Sequence, residues 1–168
     1  MITRSVLLGS AIVSCGLMAG LFFGWVVSVI PGLAGLSDRH YVATMQSINR
    51  AIVNPLFVVF FIGTVIALAA AAVVHFRHGQ TRRGWWLASA AVTYAVGVLG
   101  VTVARNIPLN DALDTFDLGA ADDAAVAVRR QTYERSWNRW HNLRTAANVV
   151  AFSLAAIAAL DTADPADS

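Results

Sequence analysis

The chain has 168 residues, of which 57% are hydrophobic and only 13% charged, with a formal net charge of +2 and a mean hydropathy of +0.61. Soluble domains carry about a quarter charged residues, so this chain lacks the polar groups to cover a water-facing surface. So small a net charge also argues against an electrostatic grip on nucleic acid. The composition implies an integral membrane protein.

In chain order, the first uncharged run is Val6–Ile30. It follows the basic Arg4, but it is longer than the roughly 7–15 residues of a signal-peptide core and no A-x-A site follows. It is expected to be a retained span over about residues 6–30. Within it Gly16, Gly20 and Gly24 recur every fourth residue, and Ser28 and Gly32 extend the row. Such a row is predicted to let a second helix of the bundle approach closely. The single cysteine, Cys15, leaves no disulfide framework and reads as packing filler. Next, Ser37 or Asp38 caps a predicted surface helix that leads into Asn54–Pro55 and the second span, 51–74. On it Met45, Asn49 and Ile52 share a face, turned either to lipid headgroups or to the bundle.

The basic turn HFRHGQTRRG (His75–Gly84) opens the third span, 84–104, with Trp85 and Trp86 as an interfacial anchor. The chain then reads RNIPLND from Arg105 to Asp111. Proline disfavours α conformation in the residue before it, so the third helix is predicted to end near Asn106, with Asn110 or Asp111 capping a short helix. Beyond this, Asp122 or Asp123 caps a helix that meets no proline or glycine until Pro165. It is predicted to run unbroken over about 123–160, projecting from the membrane first and crossing it over 142–160. The expected fold is all-α: a four-helix transmembrane bundle with a surface helix between the first two spans and a long extramembrane extension of the fourth. Residues 1–160 form one domain, and 161–168 an acidic disordered tail.

Four crossings put both chain ends on one face, side A, with the basic turn. Opposite, on side B, fall Asn49, Arg50, Asn54, Arg105, Asn106, Asn110, His141, Arg144 and Asn148. The polar equipment is one-sided. The tight cluster of Arg77, Arg82 and Arg83 favours side A as the cytoplasmic face of a cell membrane. Steps of three and four place Arg130, Tyr133, Trp137, His141, Arg144 and Asn148 on one stripe of the last helix. An Arg or Asn at membrane depth is costly against lipid, so the stripe is expected to face the bundle. There, aromatic rings and amides with one imidazole and one guanidinium would form a small-molecule site. His40 and His141 lie on side B and His75 and His78 on side A, so no metal cluster or haem site is expected.

Four pieces, in this order, resemble the DUF1772 or anthrone oxygenase-like family of small four-helix membrane proteins. They are the Gly-rich first helix ending in SVIPGL, then MQSINRAIVNPLF, RNIPLND and WNRWHNLRT. Characterised members oxidise anthrones to anthraquinones with molecular oxygen and no recognised cofactor. The resemblance thus implies a cofactor-free monooxygenase, an oxidoreductase acting on a small hydrophobic aromatic molecule. On this reading His141 is the base and Arg144 holds the anion. Asn49, Asn106, Asn110 and Asn148 bond substrate oxygens, and Trp137 and Trp140 stack on its rings. The alternative is a non-catalytic membrane module that binds a lipid, quinone or partner protein.

Overall fold

The computed structural model describes residues 2–161. Among them, five helices carry the fold. α1 runs Ile2–Gly24, passes a π-helical stretch at Trp25–Val29 and ends in Ile30–Ala34. α2 is Asp38–Ile52 and α3 is Pro55–Arg77. α4 starts at Thr81–Tyr94, passes two π-helical stretches, Ala95–Gly100 and Thr102–Asn106, and continues as Ile107–Asp114. α5 is Asp123–Leu160, a single helix of 38 residues. α1, α3, α4 and α5 are each long and apolar enough to cross a membrane. They form a closed ring in which α1 and α4 each pack against both α3 and α5. The fold is the expected all-α transmembrane bundle.

Two expectations about helix ends fail for one reason. Pro108 does not end the third span: Asn106 and Ile107 both keep right-handed helical backbone, and Asn110 lies inside the helix instead of capping it. The same holds at Pro31 in α1. In each case the isoleucine before the proline donates its N–H five residues back, Ile30 to Trp25 and Ile107 to Thr102. A proline inside a regular helix clashes with the carbonyl four residues earlier, at about 3 kcal/mol or more. The wider π-turn gives the ring room, and π-turns tend to gather at functional sites.

The side-A half of the bundle is packed with small side chains. Ala11, Ala71, Ala90, Ala151, Ala155 and Ala158 are fully buried, around Cys15, Leu68, Leu87 and Tyr94. The predicted glycine row takes almost no part in this. A Cβ on Gly16 would touch the Phe152 ring at 3.0 Å, but Cβ atoms on Gly20, Gly24 and Gly32 would meet nothing within 4 Å. α1 instead buries the neighbouring face of Ala11, Cys15, Met18 and Phe22. The close backbone approach is made by Gly97 of α4, where a Cβ would lie 2.5 Å from the Cβ of Ala147 on α5. Asp161, assigned by composition to the tail, is also part of the fold: its side chain is 3% exposed and pairs with Arg82 at 2.5 Å, while its carbonyl accepts from Arg83. The remaining tail residues, 162–168, lie outside the described residues.

On side B a second core forms a cap. Tyr41, Val42 and Met45 of α2 pack with Leu113 of α4 and with Val126, Tyr133 and Trp137 of α5. The apolar face of α2 is thus spent on protein. Polar bonds fix the cap. Arg130 donates to the Ala34 and Leu36 carbonyls, which α1 leaves unpaired at its end, and pairs with Asp38 and Glu134. Gln46 closes the end of α4 by donating to the Leu113 and Phe116 carbonyls at 2.8 and 3.0 Å. Burial pushes the Tyr41 phenol above its ordinary range; Glu134 adds to this and Arg130 opposes it.

Candidate functional site

Between the alanine-packed half and the cap lies a cavity of about 490 Å³, lined by all five helices. That volume falls within the range of ordinary small-molecule sites. Its walls are aromatic and aliphatic: Phe22 and Trp25 from α1, Phe57 and Phe61 from α3, Trp137 from α5. Its polar groups are few: Asn49, Thr102, Asn110, His141 and Arg144. The π-turns border it, since Trp25, Leu99 and Thr102 belong to them and line it.

Arg144 is the focus. Only 8% exposed, it sits with its guanidinium carbon 4.6 Å over the Phe22 ring and 5.4 Å from that of Trp137. Its Nη1 donates to Thr102 Oγ1 at 3.0 Å, while Nε and Nη2 reach His141 Nδ1 at 3.2 and 3.0 Å. Among the described residues, the ion pairs of the chain leave it without a carboxylate.

The pairing also sets the tautomer of His141. A guanidinium only donates, so Nδ1 must be the acceptor and the ring proton sits on Nε2. That nitrogen lies 3.2 Å from the Phe22 carbonyl and donates to it. Both ring nitrogens are engaged. The ring stacks on Trp137 at 4.7 Å with only 6° between planes.

Trp137 is in turn held by a short chain of amides. Its Nε1 can only donate, and it meets Asn110 Oδ1 at 2.9 Å, which settles the orientation of that amide. Tyr133 also donates to Asn110 Oδ1, at 3.0 Å, and accepts from Asn49 Nδ2 at 3.1 Å. The groups these bonds leave over are a donor, Asn110 Nδ2, and an acceptor, Asn49 Oδ1. Both belong to side chains that line the cavity.

Of the residues singled out in the sequence, Asn49, Asn110, Trp137, His141 and Arg144 therefore share one cavity. Three do not join them. Asn106 is 1% exposed and donates to the Trp137 carbonyl at 3.5 Å, behind the cavity wall. Asn148 lies deeper in the bundle, where its Oδ1 accepts from the Cys15 thiol at 3.7 Å. Asn106 Oδ1 and Asn148 Nδ2 have no hydrogen-bond partner among the described residues. Trp140 is on another face of α5, under Arg105 and Arg139 at 4.9 and 5.4 Å. His141, Arg144 and Thr145 of the WHNLRT motif are buried, and one step of 100° along a helix is enough to turn Trp140 away from them. Thr102, Phe22 and Trp25 were missed. Thr102 stands four residues before Asn106, the one available signal.

Fold and site together define a class: a polytopic helical membrane protein with an aromatic cavity built around a buried cation. A family model for anthrone oxygenase matches residues 56–154. The chain belongs to that family, the DUF1772 family. The matched segment holds α3, α4 and most of α5, whereas α1 and α2, which supply Phe22, Trp25 and Asn49 to the cavity, lie before it. Comparison with curated proteins and with solved structures returned no match.

Proposed function

We propose that the protein is a cofactor-independent oxygenase of an anthrone-like or other phenolic aromatic substrate. The observation that carries this reading is Arg144, a cation walled by rings and without a carboxylate partner among the described residues. A buried charge lacking a counter-ion is costly, and an anionic ligand supplies one. An anthrone that loses a methylene proton places its charge on the carbonyl oxygen. With that oxygen on the guanidinium, its rings lie against Trp137, Trp25 and Phe61. Drawing Arg144 toward the substrate releases His141 Nδ1, which then takes the proton. The anion gives one electron to dioxygen, and the resulting radical and superoxide combine to form the carbon–oxygen bond. Protonation gives a hydroperoxide; loss of the remaining proton from that carbon breaks the O–O bond and leaves water and the quinone carbonyl. Anthrone and dioxygen thus yield anthraquinone and water, with no outside reductant.

Oxygen uptake by the chain reconstituted in nanodiscs, with anthrone supplied and quinone followed by absorbance, tests this. Uptake matched by quinone formation and lost in Arg144→Met is expected; none above protein-free nanodiscs would end the oxygenase reading. A second reading, a binding module without chemistry, is favoured by the engagement of both His141 nitrogens. The two separate on His141→Asn, which a binder tolerates and an oxygenase does not. We also place side A in the cytoplasm of a cell membrane. Single cysteines at positions 80 and 119 in a Cys15→Ser background should then label from the inside and outside respectively; the reverse pattern inverts the assignment.

A further inference from the structure

Resting on the proposed function, we infer that the substrate reaches the cavity sideways from the bilayer, through an opening between the α2–α3 corner and α4, and is therefore a membrane-dissolved molecule with an acidic or carbonyl oxygen at its leading end. The polar and exposed lining residues form two separate sets. Thr102, His141 and Arg144 are buried, and Asn49 and Asn110 half-buried. Every lining residue that is exposed is aliphatic: Leu21, Val53, Val58, Ile62, Val103 and Ile107, at 38 to 72%. A mouth that opened to water would carry polar groups at its rim, because exposed apolar surface there is unfavourable. An aliphatic rim meets hydrocarbon at no such cost.

The packing of α4 explains why the opening exists. Near side A, Thr81–Tyr94 packs along α3, and Tyr94 still donates to the Phe61 carbonyl. Beyond this the contact of Gly97 with Ala147 draws α4 onto α5. Thr102–Asn106 then packs on α5 and on the neighbouring turns of α4. α3 has by that level reached its first residues, where Asn54 caps the helix by accepting from the Phe57 N–H. The wall between α3 and α4 is therefore left to Val58, Ile62, Val103 and Ile107, with Val53 at the corner. Val103 belongs to an uncharged run, Gly84–Ala104, that lies at membrane depth. A molecule sliding in from the bilayer meets this rim first and Arg144 last, so an oxygen-bearing end leads and the apolar body follows.

The test is kinetic and does not depend on turnover. The chain carrying Trp85→Phe, Trp86→Phe and Trp140→Phe keeps Trp25 and Trp137 as reporters of the cavity, and bound anthrone quenches them. Anthrone-loaded nanodiscs are mixed with protein nanodiscs for association, and loaded protein with excess empty vesicles for release. Adding Val58→Phe and Val103→Phe should narrow the rim and slow both rates together, by about tenfold or more, while Val103→Ala should speed them. Val73→Phe, exposed on α3 away from the rim, should leave both unchanged. Lipids brominated on their acyl chains should quench the two reporters in the unplugged chain and less in the plugged one, which reads the opening without a ligand. Unaltered rates and bromolipid quenching in the double variant would overturn the lateral route even with oxygenase turnover intact. Absence of any anthrone binding would overturn the ligand assignment. Binding that follows the rim without oxygen uptake would uphold the route and remove only the oxygenase reading.

Discussion

The two halves of the bundle share the same four spanning helices and treat space in opposite ways. Toward side A, alanines on α1, α3, α4 and α5 let the helices close on one another, and Gly97 meets Ala147 at the end of that region. Toward side B, phenylalanines and tryptophans hold the helices apart, π-turns shift the faces of α1 and α4, and the cap of α2 covers the gap. Close packing marks the first half, and the proposed ligand chemistry belongs to the second. Membrane helices gain little from burying apolar surface against each other and rely on close packing, so a cavity in one half demands dense contact in the other.

The two halves should differ most in their response to substitution at Arg144. Arg144→Met should weaken anthrone binding by about a hundredfold or more, yet leave the melting temperature unchanged or raised, because the desolvation of a buried cation with no carboxylate among the described residues offsets what its bonds to Thr102 and His141 contribute. Titration calorimetry and thermal melting in detergent check the two halves of that statement; a melting temperature lowered in step with binding would make Arg144 structural. Gly97→Val is the opposite case. It overfills the contact with Ala147 and should cost about 1–3 kcal/mol of stability, whereas Gly20→Val, with open space around it, should cost nothing measurable. Equal melting of both variants would refute the packing assignment.

A smaller effect is expected at Asn110, which accepts from both Tyr133 and Trp137. Asn110→Ala leaves those donors without a partner and should weaken anthrone binding through a loosened Trp137, by about 1 kcal/mol. Asn110→Asp keeps an acceptor for both donors but places a carboxylate in the cavity of Arg144. It should therefore hold Trp137 and still compete with an anionic ligand. Near-UV circular dichroism, which reports on Trp137, separates the two variants from each other; identical spectra would show that Asn110 does not hold the ring.

The sequence made the architecture legible because lipid allows few alternatives. Uncharged runs gave the spans, and the absence of proline and glycine between 123 and 160 gave α5 as one helix. The stripe from Arg130 to Asn148 was readable too, since an Arg at membrane depth has to turn inward. Two kinds of feature were not. A π-turn changes the helical repeat by one residue without altering composition, so Pro108 looked like an end when it is a passage, as Pro31 also is. Spacing also cannot tell which of two adjacent faces is buried: the glycine row of α1 lies one step from the face that packs, and Trp140 one step from the cavity. Asn106 and Asn148 were correctly read as facing inward, but a stripe says nothing about how deep a cavity runs.

On the proposed function, the cavity stabilises an aromatic anion through Arg144. The absorption spectrum of anthrone bound at neutral pH tests it most directly, because the neutral ketone and its deprotonated form absorb differently. Under anaerobic conditions, which stop oxidation, the wild-type chain should bind anthrone with the spectrum of the anion, and Arg144→Met should show only the neutral form. A neutral spectrum in the wild type, or an anion that persists without Arg144, would show that Arg144 does not hold an aromatic anion.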